Sequence, residues 1–355
     1  MPQRSSALPI RPPRDKGRRR TAVLAAATAL LAGSMALTAN TGSAAAATTH
    51  PRPAASGFGG FSPYADLSLY PQYDLANGAS TEGTKYFNLA FVTDGGSCDP
   101  KWGGVTDLSD QTTTANIAAL RSAGGDVRVS FGGANGTELA TSCSSATDLA
   151  AAYQKVIDQY SLTDIDFDVE GASVADATSV DRRNQAIAIL EQNNPVLQVS
   201  YTLPVLPNGL TSDGVNILNS AKNNGAAIAA VNVMAMDYGS SFPTDMGQNA
   251  IDAATATQAQ IKSVWPDLSD DQAWNKVAVT PMIGLNDLTS ETFTLDNAAS
   301  LVSFAQSKHL AWLSFWSATR DQPCPGGSTG YAQPTCSSVD QSPGAYGQAM
   351  SGYTG

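Results

Sequence analysis

Eight short β-like runs recur along this chain, and helix-like stretches fill most of the gaps between them. The runs cover residues 57–66, 85–92, 126–133, 162–170, 196–204, 228–238, 276–284 and 310–317. Helical patterns occupy 111–124, 146–160, 179–194, 213–225, 249–267 and 296–308. Two parallel strands need a crossover long enough to hold a helix, so this alternation predicts parallel βαβ units. Eight of them predict an α/β chain closed into a (β/α)8 TIM barrel. An open doubly wound sheet would carry a glycine-rich phosphate turn after its first strand, and none follows residue 66. No internal repeat or second domain is visible. The longest loops, 93–109 and 318–340, follow the second and eighth strands. They therefore fall on the C-terminal face, where barrel enzymes place their sites.

The first 46 residues read as a removable leader. Arg4, Arg11, Arg14, Lys16, Arg18, Arg19 and Arg20 face a single acid, Asp15, and precede the apolar run AVLAAATALLAGSMAL and a small-residue stretch. That order marks a secretory signal peptide. At about 16 residues the run is short for a membrane span. Residues 47–57, ATTHPRPAASG, read as a linker, and 58–355 as the folded domain. The expectation is a secreted, extracellular monomer with no membrane contact after leader removal. The leader carries seven positive side chains and one negative, so its loss takes the net charge from −11 to −17. Such acidity excludes the basic footprint of a nucleic-acid binder. The two histidines, His50 near the leader and His309 at a helix end, argue against histidine catalysis and against a His/Cys metal cluster. Neither metal nor cofactor is expected. Four cysteines in an exported chain fit two disulfides. Of the three possible pairings, Cys98–Cys143 with Cys324–Cys336 is favoured, because the second pair closes a short loop.

The stretch LTDIDFDVEG, 162–171, places Asp164, Asp166, Asp168 and Glu170 at every second position, with Ile165, Phe167 and Val169 between them. In a strand these sets occupy opposite faces. The apolar set suits the helix side of a barrel wall, so the acids must point inward. Unpaired carboxylates there are costly, and a coupled row in a cleft pushes pKa values apart, as acid–base chemistry requires. Glu170 lies last, nearest the C-terminal mouth. A solvated edge strand would not need Phe and Ile on its reverse face. A calcium loop would need Gly where Val169 stands and an acid where Ala175 stands.

DIDFDVE resembles the catalytic strand of glycoside hydrolase family 18, the chitinases, whose pattern is D-x-x-D-x-D-x-E. Asp166, Asp168 and Glu170 match its last three positions. Thr163 departs from the first, and Asp164 stands where Gly is frequent. VSFGG is similar to the family's S-x-G-G third strand through Ser130, Gly132 and Gly133. MAMDYG resembles the sixth-strand M-x-Y-D motif, with Met236 at the Tyr position, Asp237 at the Asp, and Tyr238 following. Trp316, in SFWS, stands where the family keeps a Trp under the −1 sugar.

The resemblance implies a secreted chitinase acting on chitin or N-acetylglucosamine oligosaccharides. An endo-β-N-acetylglucosaminidase acting on N-glycan cores and a chitin-binding lectin are the alternatives. It makes Glu170 the general acid. Asp168 orients the acetamido group, whose oxygen serves as the nucleophile, and Asp166 shares a proton with Asp168. It makes Tyr238, Asp237, Met236, Trp316 and Ser130 substrate-side residues, although Ser130, Tyr238 and Trp316 also suit structural roles. Asp164 reads as a barrel-floor partner for Asp166.

Overall fold

A computed structural model of the chain describes residues 58–355 except Pro243. The leader and linker expectations lie outside the described residues. The eight barrel strands are β1 (Tyr64–Asp66), β2 (Tyr86–Asp94), β3 (Asp126–Gly132), β4 (Asp164–Asp168), β5 (Gln198–Leu206), β6 (Ile228–Ala235), β7 (Val277–Pro281) and β8 (Trp312–Leu313). Each pairs in parallel with the next. The Phe61–Leu313 bridge and the bonds Ser62 N–H to Leu313 O and Tyr64 N–H to Phe315 O close the ring.

Between successive strands lie α1 (Leu75–Glu82), α2 (Gln111–Ser122), α3 (Ala146–Tyr160), α4 (Ala177–Asn193), α5 (Ser212–Asn224), α6 (Met246–Val264) and α7 (Leu295–Lys308), with α8 (Ala345–Met350) after β8. The sequence dictates where the first seven start. Asp74, Asp110, Ser145, Asp176, Thr211, Asp245 and Thr294 each accept from an amide of the first turn. Those amides have no partner within the helix, and such a cap is worth about 0.5–2 kcal/mol. His309 terminates α7 in the left-handed conformation, as a helix end and not as part of a site.

The helix side of the wall is apolar. Ile165, Phe167 and Val169 have no exposed surface. Phe167 stacks 5.3 Å from Phe131 of β3, and Tyr153 of α3 meets it edge-on at 4.8 Å. Burying a ring of this size stabilises by roughly 1.5–3 kcal/mol, so the reverse face of the acid strand anchors it to the helix layer. The barrel floor is polar. Arg128 pairs with Asp164 at 4.0 Å and donates to Asn88 Oδ1 at 2.9 Å. Its guanidinium lies 4.6 and 4.4 Å from the ring centroids of Phe58 and Trp312. Asp164 thus sits on the floor as expected, but its partners are Arg128 and the Thr163 hydroxyl and not Asp166.

Two disulfides staple the C-terminal rim in the favoured pairing. Cys98–Cys143 (Cα–Cα 4.8 Å) ties the loop after β2 to the segment after β3, and Cys324–Cys336 (5.0 Å) closes the loop after β8. A feature absent from the sequence reading sits between β7 and α7, where Gly284–Leu285 pairs antiparallel with Thr292–Phe293 in a small hairpin.

Candidate active site

The acid row climbs the barrel axis in register with its neighbours. Asp166 stands beside Ser130 of β3 and Ser200 of β5, and one layer higher Asp168 stands beside Gly132 and Thr202. Asp166 is fully buried and fully partnered. It accepts from Tyr64 Oη (2.9 Å) and Ser130 Oγ (2.7 Å) on one oxygen, from Ser200 Oγ (2.5 Å) on the other, and from Thr202 Oγ1. Asn232 donates to Thr202 at 2.9 Å and accepts from Thr280 at 2.9 Å, which locks that layer across to β6 and β7. A carboxylate this deep survives only because hydroxyls replace its water.

Asp168 is different. It is 5% exposed, and its Oδ1 has no partner. Burial, then Glu170, Asp166 and Glu138 nearby, hold its pKa well above the ordinary carboxylate range. Glu170, above the end of β4 and half-buried, is pushed up to about 7 by burial. A further acid lies behind the row. Glu138 is buried and held by Arg183, which has no exposed surface, with Nε and Nη2 both 2.5 Å from Oε1. The S-x-G-G glycines fit the same close quarters. A Cβ on Gly132 (φ +101°) would overlap the Asp168 carbonyl, and one on Gly133 (φ +84°) would enter the Phe91 ring.

Above the row opens a cavity of about 690 Å³, within the range usual for ligand sites. Asp168, Glu170, Met236, Asp237 and Trp316 all line it. Trp316 stacks on Phe91, with centroids 5.6 Å apart and planes within 14°, and Tyr64 packs against both. The peptides Ala90–Phe91 and Trp316–Ser317 are cis. Asp166 and Ser130 lie beneath the cavity and do not line it. Tyr238 is not brought to it either. It is 5% exposed, its ring packs near Phe242 at 6.2 Å, and its hydroxyl is buried and unpartnered. The turn at Asp237 (φ +53°) carries the chain away from the cleft at that position. Sequence reasoning missed Tyr64, Phe91, Thr202, Met234 and Met282, which also line the cavity. Tyr64, last but two in the first run, was detectable as an inward residue; Phe91 and Met282 had no signal beyond being apolar. Among the described residues, no group of three or more His, Cys, Asp or Glu side chains is placed to hold a metal ion. Among them also, no helix is long and apolar enough to cross a membrane.

A closed (β/α)8 barrel whose axis carries a graded row of carboxylates, rising into an aromatic-floored cleft, has the make-up of a barrel built for acid–base chemistry. Comparison with known proteins narrows that class. The chain is 38% identical over 277 residues to a probable bifunctional chitinase/lysozyme of Escherichia coli (strain K12), covering 74% of this chain and 31% of that protein. It is 36% identical over 278 residues to endochitinase 11 of Metarhizium anisopliae, covering 74% and 52%. The aligned region thus spans about a third and about half of the lengths of these two relatives. Active domain 2 of a thermostable chitinase from Pyrococcus furiosus, solved as catalytic-site mutants with chito-oligosaccharides, superposes with a TM-score of 0.76 at 34% identity. That match covers 84% of this chain and 94% of that one. No family model matches the chain. The chain belongs to glycoside hydrolase family 18.

Proposed function

We propose that this chain is an exported, monomeric chitinase that cleaves β-1,4-linked N-acetylglucosamine with retention, using the substrate's own acetamido oxygen as nucleophile. The observation that carries the reading is the gradation along one strand face. Asp166 is saturated by hydroxyls, Asp168 keeps one buried oxygen without a donor, and Glu170 holds its proton near neutral pH. An unpartnered buried acceptor at a ligand cavity calls for a donor from the ligand, and an acetamido N–H supplies one. With that N–H on Asp168, the acetamido oxygen turns toward the anomeric carbon. It forms the new C–O bond as the glycosidic bond breaks, and the Glu170 proton passes to the leaving oxygen. The positive charge on the cyclised intermediate develops beside Asp168. Water then attacks the anomeric carbon from the vacated side as the ring C–O bond to the acetamido oxygen breaks and its electron pair returns to the neutral acetamido group. The water's proton passes to Glu170, which restores the acid. No second carboxylate nucleophile is needed, which sets such hydrolases apart from the two-carboxylate rule. Trp316, stacked on Phe91, offers a flat apolar floor for a sugar ring.

Product analysis tests the substrate class. Incubation with colloidal chitin is expected to release short N-acetylglucosamine oligosaccharides, and a high-mannose glycoprotein is expected to stay intact. Release of the intact glycan instead would move the chain to the endo-β-N-acetylglucosaminidases.

The pH profile carries a sign. Glu170 must be protonated to act as an acid, and its pKa lies at about 7. On soluble oligosaccharide, kcat/KM is therefore expected to fall by about tenfold per unit as pH rises beyond that value. Asp168 must carry charge when the cation forms, and its pKa is raised, so the acid limb should lie above the ordinary carboxylate range. A plateau running unchanged from pH 6 to 9 would remove Glu170 from the acid's role.

A further inference from the structure

Glu291 is a buried carboxylate that the reaction above does not use. It is 5% exposed and stands at the end of the turn of the hairpin between β7 and α7, one residue before Thr292. Its two oxygens accept from two successive amides of another loop, Oε2 from Tyr238 N–H at 3.0 Å and Oε1 from Gly239 N–H at 2.7 Å. The chain around those amides is left-handed, with φ of +53° at Asp237 and +91° at Gly239. Successive amides in such a turn converge on one point and make an anion-binding concavity. Here the chain fills that concavity with its own carboxylate. A non-glycine residue with positive φ is disfavoured unless its surroundings fix it, so the Glu291 anion offsets part of the cost of the Asp237 conformation.

The exchange runs both ways. Asp237 Oδ1 accepts from Leu288 N–H at 2.7 Å, in the turn of the same hairpin. That turn is closed by Glu291 N–H to Leu288 O (2.8 Å) and Asn286 N–H to Glu291 O (3.0 Å). Arg320 braces the hairpin's base by donating to the carbonyls of Ile283 (2.9 Å) and Leu285 (2.6 Å). Each loop thus gives one carboxylate to the backbone of the other. Asp237, its neighbour Met236 and Asp287 of the hairpin turn all line the cavity.

We propose that Glu291 is a positioning residue for the cleft: seated on the Tyr238 and Gly239 amides, it holds the left-handed turn that keeps Asp237 on the cavity wall and joins two rim loops into one substrate-gripping side. The inference rests on the hydrolase reading, with Asp237 as a substrate contact. It goes beyond that reading in naming a residue, remote from the acid row, through which substrate affinity is set.

The test is a double-mutant cycle on soluble chromogenic chito-oligosaccharide with full-length protein. Glu291→Gln keeps shape but presents an NH2 group to one of the two amides, and charge-assisted bonds of this kind correspond to roughly ten- to a hundredfold. We expect kcat/KM to fall by about that factor, mostly through KM, in a protein that still unfolds cooperatively. In an Asp237→Asn background the same change should cost much less, because residues acting as one unit are not additive. Glu291→Asp keeps the charge but loses a methylene of reach. It should fall between wild type and Glu291→Gln, and it provides the reading if Glu291→Gln does not fold. An unchanged KM in both variants, or equal penalties in the two backgrounds, would overturn the positioning role. A wild-type chain inert on the oligosaccharide would sink the hydrolase reading itself, whereas an active wild type with indifferent Glu291 variants sinks only this inference.

Discussion

Glu170→Gln should lose hydrolysis of natural oligosaccharide by about 10²–10⁴-fold, the usual cost of removing a positioned general acid. Glutamine has nearly the shape of glutamic acid and sits here half-buried at the cavity wall, so fold and oligosaccharide binding should persist. The physical reason for the size of the loss is the proton. Burial pushes Glu170 up to about 7, so at neutral pH a large fraction of the protein holds a protonated carboxyl at the cavity wall. An amide has none to give. The substrate can discriminate this role from a packing role. A glycoside of a phenol with a low pKa departs without protonation, so the Glu170→Gln penalty should shrink by orders of magnitude on such a substrate. If both substrates lost rate equally, Glu170 would be shaping the cleft and not donating a proton.

The division of labour along the acid strand explains why much of this site could be read in the sequence. Period two is enforced by strand geometry, so four acids opposite Ile165, Phe167 and Val169 could only be an inward row, and the structure puts Asp164, Asp166 and Asp168 inside the barrel. The eight strands were legible for the same reason. Parallel barrel strands are buried on both faces and read as apolar runs. The helix α1 was not legible. LANGASTE buries only Leu75 and Gly78, and Gly78 is there to make room for Tyr73, so no apolar stripe exists to detect. Contacts that depend on the third dimension were also hidden. Arg128 reaches Asp164 from a different strand, Glu138 finds Arg183 across 45 positions, and Glu291 finds the Tyr238 amide across 53. The misplacement of Tyr238 has a like cause. Strand alternation fixes which side a residue faces only while the strand lasts, and β6 ends at Ala235, before Asp237 turns left-handed.

Asp168→Asn is expected to lower kcat by about 10²–10³-fold while changing KM little, because the charge it removes matters most once the cation has formed. Within the acid row Asp168 is the member with an unmet buried oxygen, held between saturated Asp166 below and Glu170 above. Asparagine can still meet a ligand through one atom, so ground-state binding survives. It cannot balance the positive charge of a cyclised acetamido group. The same reasoning predicts that a thiazoline mimic of that intermediate binds wild type far more tightly than it binds Asp168→Asn. It also predicts that a de-acetylated unit at the cleavage position is not cut, since the nucleophile is missing. Stereochemistry decides among mechanisms. Attack by the acetamido oxygen followed by water amounts to two inversions, so NMR of the first product should show the β-anomer before mutarotation. An initial α-anomer would instead require one direct displacement, with water activated by a second carboxylate in an inverting pair. The other acids lining the cavity are Asp66, Asp237 and Asp287. Of these, Asp237 already uses one oxygen on Leu288 N–H, and Asp66 accepts from both the amide and the hydroxyl of Ser68. Neither has the unmet buried oxygen of Asp168, and Asp287 is exposed on the hairpin turn; that asymmetry is the physical ground for expecting the β-anomer.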